Sequence, residues 1–178
     1  GGKWERYLFP DNNFSNPWFF LNNFNHPFVG PNKFCPVELL PLTNNKQDVL
    51  NKIEEMIANG VTHINLGAVW GWRVISPSEP YTAGVAYDND EYNKAIIIMT
   101  DGSNFISNSF GQYSGYGRLA EGKLGTTNRF VAQNELDNRL TDVCTKIKAK
   151  GVLVYTIVFQ LFSKNIQNLM LALVMQTT

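Results

Sequence analysis

The sequence has little charge and no excess of either sign. Fifteen Lys and Arg residues balance fifteen Asp and Glu residues, so the formal net charge at pH 7 is zero, and charged residues make up 17% of the chain. Proteins that bind nucleic acid or anionic lipid through their overall field carry a basic surplus. This composition argues against a charge-driven role, and we expect no nucleic-acid partner.

The sequence also lacks a long hydrophobic run. No stretch approaches the roughly 20 apolar residues that span a bilayer, and the first residues lack the basic-then-apolar profile of a signal peptide. The apolar stretch 169–175 is too short to span a membrane and is interpreted as part of a core helix. With 178 residues, 44% of them hydrophobic, the chain is long enough to bury one sizeable core.

Cysteine and histidine occur only twice each. Cys35 and Cys144 leave two alternatives open, one disulfide or two buried thiols, because the sequence does not give the distance between them. His63 is interpreted as a loop histidine rather than a zinc ligand, since the only other histidine, His26, belongs to an irregular segment.

Two segments differ from the regular part of the chain. Residues 1–33 mix Asn, Pro and aromatic side chains without a period of 2 or 3.6, which predicts an irregular arm. The aromatic side chains of this arm are either a carbohydrate platform or, as we favour, apolar anchors of a long loop. Residues 102–130 contain six glycines and predict a long loop insertion, and loops of this length are usually functional or mobile. Residues 34–178 are expected to form one domain.

Hydrophobic spacing predicts alternating strands and helices within this domain. The apolar runs of the strands predicted at 94–99 and 152–159 lack polar alternation, as expected for strands of a parallel sheet that is covered on both faces. The order of the elements predicts an α/β fold with a parallel sheet and right-handed crossovers. The predicted elements are a strand at 37–42, helices at 45–58 and 65–75, a strand at 94–99, a helix at 134–150, a strand at 152–159 and a helix at 165–173.

Two of the predicted helices carry clear apolar faces. The helix at 45–58 is expected to begin after an Asn44 N-cap, with Gln47 in the capping-box position. Its apolar side chains are Val49, Leu50, Ile53, Met56 and Ile57. Those of the helix at 134–150 are Leu136, Leu140, Val143, Cys144 and Ile147.

A carboxylate follows the predicted strand at 94–99. In Thr100-Asp101-Gly102, the acid lies at the end of a parallel strand where ligands bind in open sheets, and the glycine allows a sharp turn. A carboxylate in this position suits a hard cation such as Mg²⁺. The alternative is that Asp101 only caps the turn by accepting hydrogen bonds from nearby backbone amides.

A second candidate ligand precedes the helix at 65–75. Thr62 could bring a hydroxyl group to the same end of the sheet and would then be an oxygen ligand. The alternative is that Thr62 caps the following helix, a role that Asn65 also fits.

Thr62 and the Thr100-Asp101-Gly102 turn, in this order, resemble two parts of the metal-ion-dependent adhesion site of von Willebrand factor A-type domains. The resemblance implies a doubly wound, mainly parallel α/β sheet and a metal site in which Thr62 and Asp101 bind Mg²⁺. A narrower resemblance over roughly residues 34–160 is to the C-terminal part of TadG-like Flp/Tad pilus-assembly proteins. The segments that carry it are Cys35-Pro36, 40–43, 70–73, Ser76-Pro77, 99–104, 148–151 and 155–157.

This resemblance implies a non-enzymatic domain on the periplasmic side of the bacterial inner membrane. Its implied role is in pilus assembly and adherence, with other pilus-assembly or envelope proteins as partners. Members of the family carry an N-terminal membrane anchor and an Asp-x-Ser-x-Ser loop after the first strand, and this sequence contains neither. Its last residues also depart from the family pattern. We therefore expect an incomplete domain of this type at 34–178, as an internal or truncated piece of a membrane-anchored parent.

Two other functions are alternatives. A carbohydrate-binding adhesin module is the stronger, because aromatic faces stack on sugars and four tyrosines are expected in the loops at the ligand end of the sheet. The other interpretation of these tyrosines is ordinary loop packing. They are Tyr81, Tyr87, Tyr113 and Tyr116. An α/β hydrolase has less support, because the sequence contains no Gly-x-Ser-x-Gly elbow and neither histidine lies late in the chain. We expect the chain not to be an enzyme.

Overall fold

The computed structural model describes residues 37–57, 61–108, 114–159 and 164–175. They form a mixed α/β fold, which confirms the class predicted from the sequence. The elements are α1 (Lys46–Glu54), α2 (Ile64–Ile75), β1 (Ala95–Thr100), a 3₁₀ helix (Leu119–Glu121), α3 (Arg129–Lys148), β2 (Leu153–Val158) and α4 (Lys164–Met175).

The two strands pair in parallel. Ala95 lies opposite Leu153 and Thr100 opposite Val158, so the register runs through all six residues of each strand. Both strands are rich in β-branched residues, which pack well on a pleated surface. Parallel neighbours require a long crossover, and α3 provides it, so β1, α3 and β2 form one β-α-β unit. Both strands lie within one residue of their predicted positions.

Helices α2, α3 and α4 cover one face of this sheet. The side chains of Ile96, Ile98 and Val154 point into a buried cluster that all three helices share. On the opposite face the side chains are exposed, with Ile97 and Met99 each 62% accessible. The prediction that both strands are covered on both faces is therefore wrong for the described part of the chain. The reason is that an apolar run shows which side chains favour burial but does not supply the element that would bury them.

Helix α3 contains the predicted apolar face. Leu136, Leu140, Val143, Cys144 and Ile147 are all buried. The helix begins at Arg129, five residues before the predicted start, because Asn128 caps it by accepting hydrogen bonds from the backbone amides of Phe130 and Val131. Cys144 is a free thiol inside the core. Cys35, its predicted alternative partner, lies outside the described residues.

Helix α1 differs from its prediction in length, cap and burial. It ends at Glu54, and its N-cap is Asn45 rather than Asn44, because the Asn45 side chain accepts a hydrogen bond from the Gln47 backbone amide. None of its residues is buried. Its apolar side chains are exposed even though their spacing is that of a core-facing helix.

No strand forms at 37–42, so that prediction is wrong. Pro41 has no backbone N–H to donate to a sheet, and the neighbouring side chains of Leu39 and Leu42 are exposed. An apolar run forms a strand only where a neighbouring strand accepts and donates its backbone hydrogen bonds.

The long loop after β1 is folded onto the first half of α3. Ile106, Leu119 and Leu124 of the loop pack against Ala132 and Leu136 of the helix in a second, smaller core. Gly117, Gly122 and Gly125 have positive φ angles, which the turns of this loop require. Since α3 begins at Arg129, the loop is slightly shorter than the predicted insertion.

Helices α2 and α4 agree closely with their predicted ranges. The predicted arm at residues 1–33 lies outside the described residues, and the assignment of one domain to 34–178 stays a prediction. Among the helices of the described ranges, none has the length and apolar character needed to cross a membrane.

Candidate functional site

The Thr62 loop and the Asp101 turn lie side by side at the carboxyl end of β1. The backbone amide of Phe105 donates a hydrogen bond to the Thr62 carbonyl at 2.9 Å. A Cβ atom on Gly102 would lie 3.2 Å from the Thr62 hydroxyl oxygen. A side chain at position 102 would crowd the Thr62 hydroxyl, and glycine avoids that contact. The structure brings both predicted site residues to one edge of the sheet.

The turn itself is held by Thr100 rather than by Asp101. The buried Thr100 hydroxyl donates to the Gly102 carbonyl at 2.9 Å and accepts from the Gly102 amide at 3.2 Å. The Asp101 side chain is exposed. Within the described ranges it makes no hydrogen bond or ion pair, so the alternative role of Asp101 as a turn cap finds no support there. Its carboxylate remains available to solvent.

Asn104 joins three elements behind this edge. It is fully buried, its Oδ1 accepts from the Ile64 backbone amide at 2.8 Å, and its Nδ2 donates to Asp137 Oδ1 at 2.8 Å. The first bond caps α2, whose own N-cap residue, His63, makes no side-chain capping bond. The second bond ties the loop to α3. Asn104 thereby fixes the position of the Thr62 loop relative to β1.

Asn104 was not found from the sequence. The sequence offers Thr62 and Asn65 as caps of this helix, whereas α2 begins at Ile64 with His63 at the N-cap position, and the distant Asn104 side chain satisfies its first amide. The partners of Asn104 lie 40 and 33 residues away along the chain. No local pattern identifies such contacts.

His63 is enclosed beside the same edge. Neither ring nitrogen has a hydrogen-bond partner within the described part of the chain, and the ring centre lies 6.0 Å from that of Tyr116. Burial lowers the pKa of His63 below its usual value of 6.5. The imidazole is therefore neutral at pH 7. The interpretation of His63 as something other than a zinc ligand stays a prediction.

Tyr116 is engaged by the protein itself. Its hydroxyl oxygen accepts a hydrogen bond from Asn65 Nδ2 at 2.6 Å, and the Arg139 guanidinium lies 5.0 Å from its ring centre. The Oδ1 atom of Asn65, which is 2% exposed, has no partner among the described residues. Both the hydroxyl and the ring of Tyr116 thus take part in contacts within the protein, and its role in sugar binding stays a prediction. Tyr113 lies outside the described residues.

The expectation that the tyrosines share one end of the sheet is wrong for Tyr87. Its hydroxyl accepts from Trp72 Nε1 at 2.8 Å, and its ring faces the Lys94 ammonium at 4.4 Å. Lys94 immediately precedes β1, so Tyr87 lies at the amino end of the sheet, opposite to Tyr116. The segment that follows α2 must return to the start of β1, which explains why Tyr87 lies at the amino end of the sheet.

A polar cavity of about 260 Å³ lies at this amino end. Its basic lining residues are Lys94 and Lys150. The Lys94 ammonium donates to the carbonyl groups of Ile75 and Val85, so its charge already stabilises the turn after α2. This cavity is separate from the Thr62–Asp101 edge.

Asp137 is the carboxylate nearest to the buried polar side chains. Burial raises its pKa, and the hydrogen bond from Asn104 opposes that rise. Its described contact is structural, because Oδ1 accepts from Asn104. Asp137 lies on α3, and nothing in its contacts directs it toward Asp101.

The Thr62–Asp101 edge offers two hard oxygen ligands. Mg²⁺ commonly keeps several water ligands and binds through one or two carboxylates, so a hydroxyl and an exposed carboxylate fit that ion as a water-rich site. Within residues 37–57, 61–108, 114–159 and 164–175, no group of three or more His, Cys, Asp and Glu side chains is placed to hold a metal. The two residues are therefore a partial ligand set, and Mg²⁺ binding stays a prediction.

Comparison with known proteins does not assign the chain to a family. No protein-family model, no curated protein and no solved structure matches it at a significant level.

Proposed function

We propose that this chain is a non-enzymatic protein-interaction domain whose contact point is the edge formed by Thr62 and Asp101, with Mg²⁺ as its cofactor. The observation that supports this proposal is the packing of the Thr62 hydroxyl against the Asp101-Gly102 turn at the end of a parallel strand. Thr62 and Asp101 are 39 residues apart in sequence, and their two loops bring a hydroxyl and a carboxylate, both hard oxygen ligands, to this edge. In open α/β sheets, this end of the strands is where ligands bind.

The residues around this edge fix its shape. Thr100 holds the turn through two hydrogen bonds, and Asn104 ties the adjacent loop to α2 and α3. The exposed Asp101 carboxylate is thus presented from a rigid turn and needs little reordering when it is bound. Preorganisation of this kind lowers the entropic cost of recognition.

A bound Mg²⁺ would supply an open coordination position to a carboxylate of the partner protein. The chain would contribute Thr62 and Asp101 to the ion, and the glycine at 102 would let the two approach. Neutral His63, next to Thr62, adds no positive charge that would compete with the cation.

The wider setting of this proposal comes from the resemblance to TadG-like pilus-assembly proteins. On that basis the domain is of the von Willebrand factor A type with a doubly wound sheet, and it acts as a scaffold in Flp/Tad pilus assembly and adherence. Its partners are other pilus-assembly or envelope proteins on the periplasmic side of the inner membrane. A membrane-anchored parent protein would hold it there.

The cofactor part of the proposal is tested by thermal unfolding with and without Mg²⁺. A ligand present at about 100 times its dissociation constant stabilises the folded state by about 2.7 kcal/mol. We expect the wild-type chain to gain stability as Mg²⁺ rises, and we expect Asp101→Asn and Thr62→Val to lose that gain. Both substitutions preserve side-chain shape while removing a charge or a hydroxyl.

Asp142→Asn is the matched control. Asp142 is an exposed aspartate on α3, away from the edge, so its substitution should leave the Mg²⁺ response unchanged. A wild-type chain that does not respond to Mg²⁺, or an Asp101→Asn chain that responds as well as the wild type does, would contradict the proposed site.

A further inference from the structure

The outer sheet face is the side of the sheet that the helices leave uncovered. It consists of the outward side chains of Ala95, Ile97, Met99, Leu153, Tyr155 and Ile157. None of these side chains is charged, and the five large ones are 38–62% exposed. The pairing of β1 with β2 makes them one continuous apolar surface.

The α1 stripe is a second apolar surface that the described residues leave uncovered. It consists of Val49, Leu50 and Ile53 on α1, with Met56 and Ile57 directly after the helix. These side chains are 38–74% exposed. Their positions follow the spacing of a helix that packs on one side.

Two such surfaces on one chain require an explanation. Parallel sheets occur almost only with both faces covered, and large contiguous apolar patches on soluble surfaces mark interaction sites. An amphipathic helix is the element that usually covers the face of a parallel sheet. The α1 stripe is therefore the kind of apolar helix surface that could cover the outer sheet face.

We propose that the chain forms a symmetric dimer in which the α1 stripe of each copy packs on the outer sheet face of the other. A two-fold axis makes the contact reciprocal, so each copy contributes both surfaces. This reciprocity supports a second copy as the occupant. A stable interface buries about 800 Å² per partner. One short helix packed on two strands buries less than that. In the symmetric dimer each copy contributes both surfaces, and their ten half-exposed large side chains supply an area of that size.

Electrostatics do not oppose this association. The chain has a formal net charge of zero, so two copies do not repel each other through their overall fields. Helix α1 contains charges of both signs, and its Lys52 forms ion pairs with Glu38 and Glu55. Neither Thr62 nor Asp101 belongs to the two apolar surfaces, so this proposal goes beyond the proposed function and does not depend on it.

The first test measures the molar mass of the full chain by sedimentation over a range of concentrations. We expect a reversible monomer–dimer equilibrium. Ile97→Asp on the sheet and Ile53→Asp on α1 should each weaken the dimer at least about tenfold, since each places a charge in the centre of the contact. Val131→Asp, at an exposed apolar position on α3, is the matched control and should leave the equilibrium unchanged.

The second test distinguishes contact between copies from contact within one copy. In a Cys35→Ser background, a chain carrying Met56→Cys is mixed with a chain carrying Ile97→Cys under mild oxidation. We expect a disulfide-linked pair that contains one chain of each kind. A chain that stays monomeric at all concentrations would overturn the proposal. So would a disulfide that forms only within a chain carrying both new cysteines.

Discussion

At the scale of single residues, His63 has a distinctive environment. Its two ring nitrogens have no partner among the described residues, and burial lowers its pKa. In the unfolded chain the same group has its ordinary pKa of about 6.5. Folding therefore favours the neutral imidazole, and the free energy of unfolding must depend on pH in the range where only the unfolded state takes up the proton.

The expected result is a loss of stability on acidification. The contribution of His63 is complete above pH 6.5 and decreases as the pH falls from 6.5 through the lowered folded-state pKa. Burial raises the pKa of Asp137, so the folded state takes up this proton before the unfolded state does. Asp137 therefore adds to the free energy of unfolding on acidification, at a lower pH than His63 acts. Denaturant unfolding at a series of pH values between 7.5 and about 5 measures the effect.

Two variants serve as controls for this pH dependence. His63→Leu should remove the decrease, because leucine does not titrate and replaces two buried, unpaired nitrogens. His26→Gln should retain it. If the His63→Leu chain loses as much stability on acidification as the wild-type chain, the assignment to His63 is wrong.

At the scale of secondary-structure elements, the junction of β1, α2 and α3 depends on one amide. Asn104 accepts from the first residue of α2 and donates to Asp137 of α3, and it is fully buried. Its removal leaves the first amide of α2 without its partner in the interior, and it also removes the hydrogen bond to the half-buried Asp137 carboxylate. Unmade hydrogen bonds of buried groups cost more than the net gain of forming them.

We expect Asn104→Ala to lower the free energy of unfolding by about 2–3 kcal/mol, as the sum of a lost helix cap and a lost hydrogen bond to a carboxylate. Asn138→Ala, at an exposed position on α3, is the control and should change stability by less than about 0.5 kcal/mol. Equal losses in the two variants would contradict the role of Asn104 as the link between these elements.

The predictable part of these elements is local. The face of α3 follows from apolar residues at a period of 3.6, and both strands follow from β-branched runs. The failed predictions concern partners. The spacing of Val49, Leu50 and Ile53 identifies a helix face but does not show whether anything covers it. The run at 37–42 is apolar, yet Pro41 cannot donate to a ladder.

At the scale of the whole molecule, the described residues form a two-layer α/β arrangement, with all the packed helices on one side of the sheet. Three helices cover one face of a two-stranded sheet, and the other face is apolar and exposed. The candidate site could be predicted in part. The sequence predicts that Thr62 and Asp101 lie at one edge because ligand sites occur at the carboxyl ends of parallel strands, whereas the roles of Asn104, Asn65 and Asp137 depend on contacts between distant segments.

The proposed function requires that Thr62 and Asp101 together hold a divalent cation at this edge. Mn²⁺ is paramagnetic and broadens the NMR signals of nearby amides, so substoichiometric Mn²⁺ added to the full, isotope-labelled chain locates the ion directly. We expect the amide signals of Gly102, Ser103 and His63 to broaden first, and the Asp101→Asn chain to keep them sharp. Broadening centred on another acidic segment, such as Asp88–Glu91, would contradict the account.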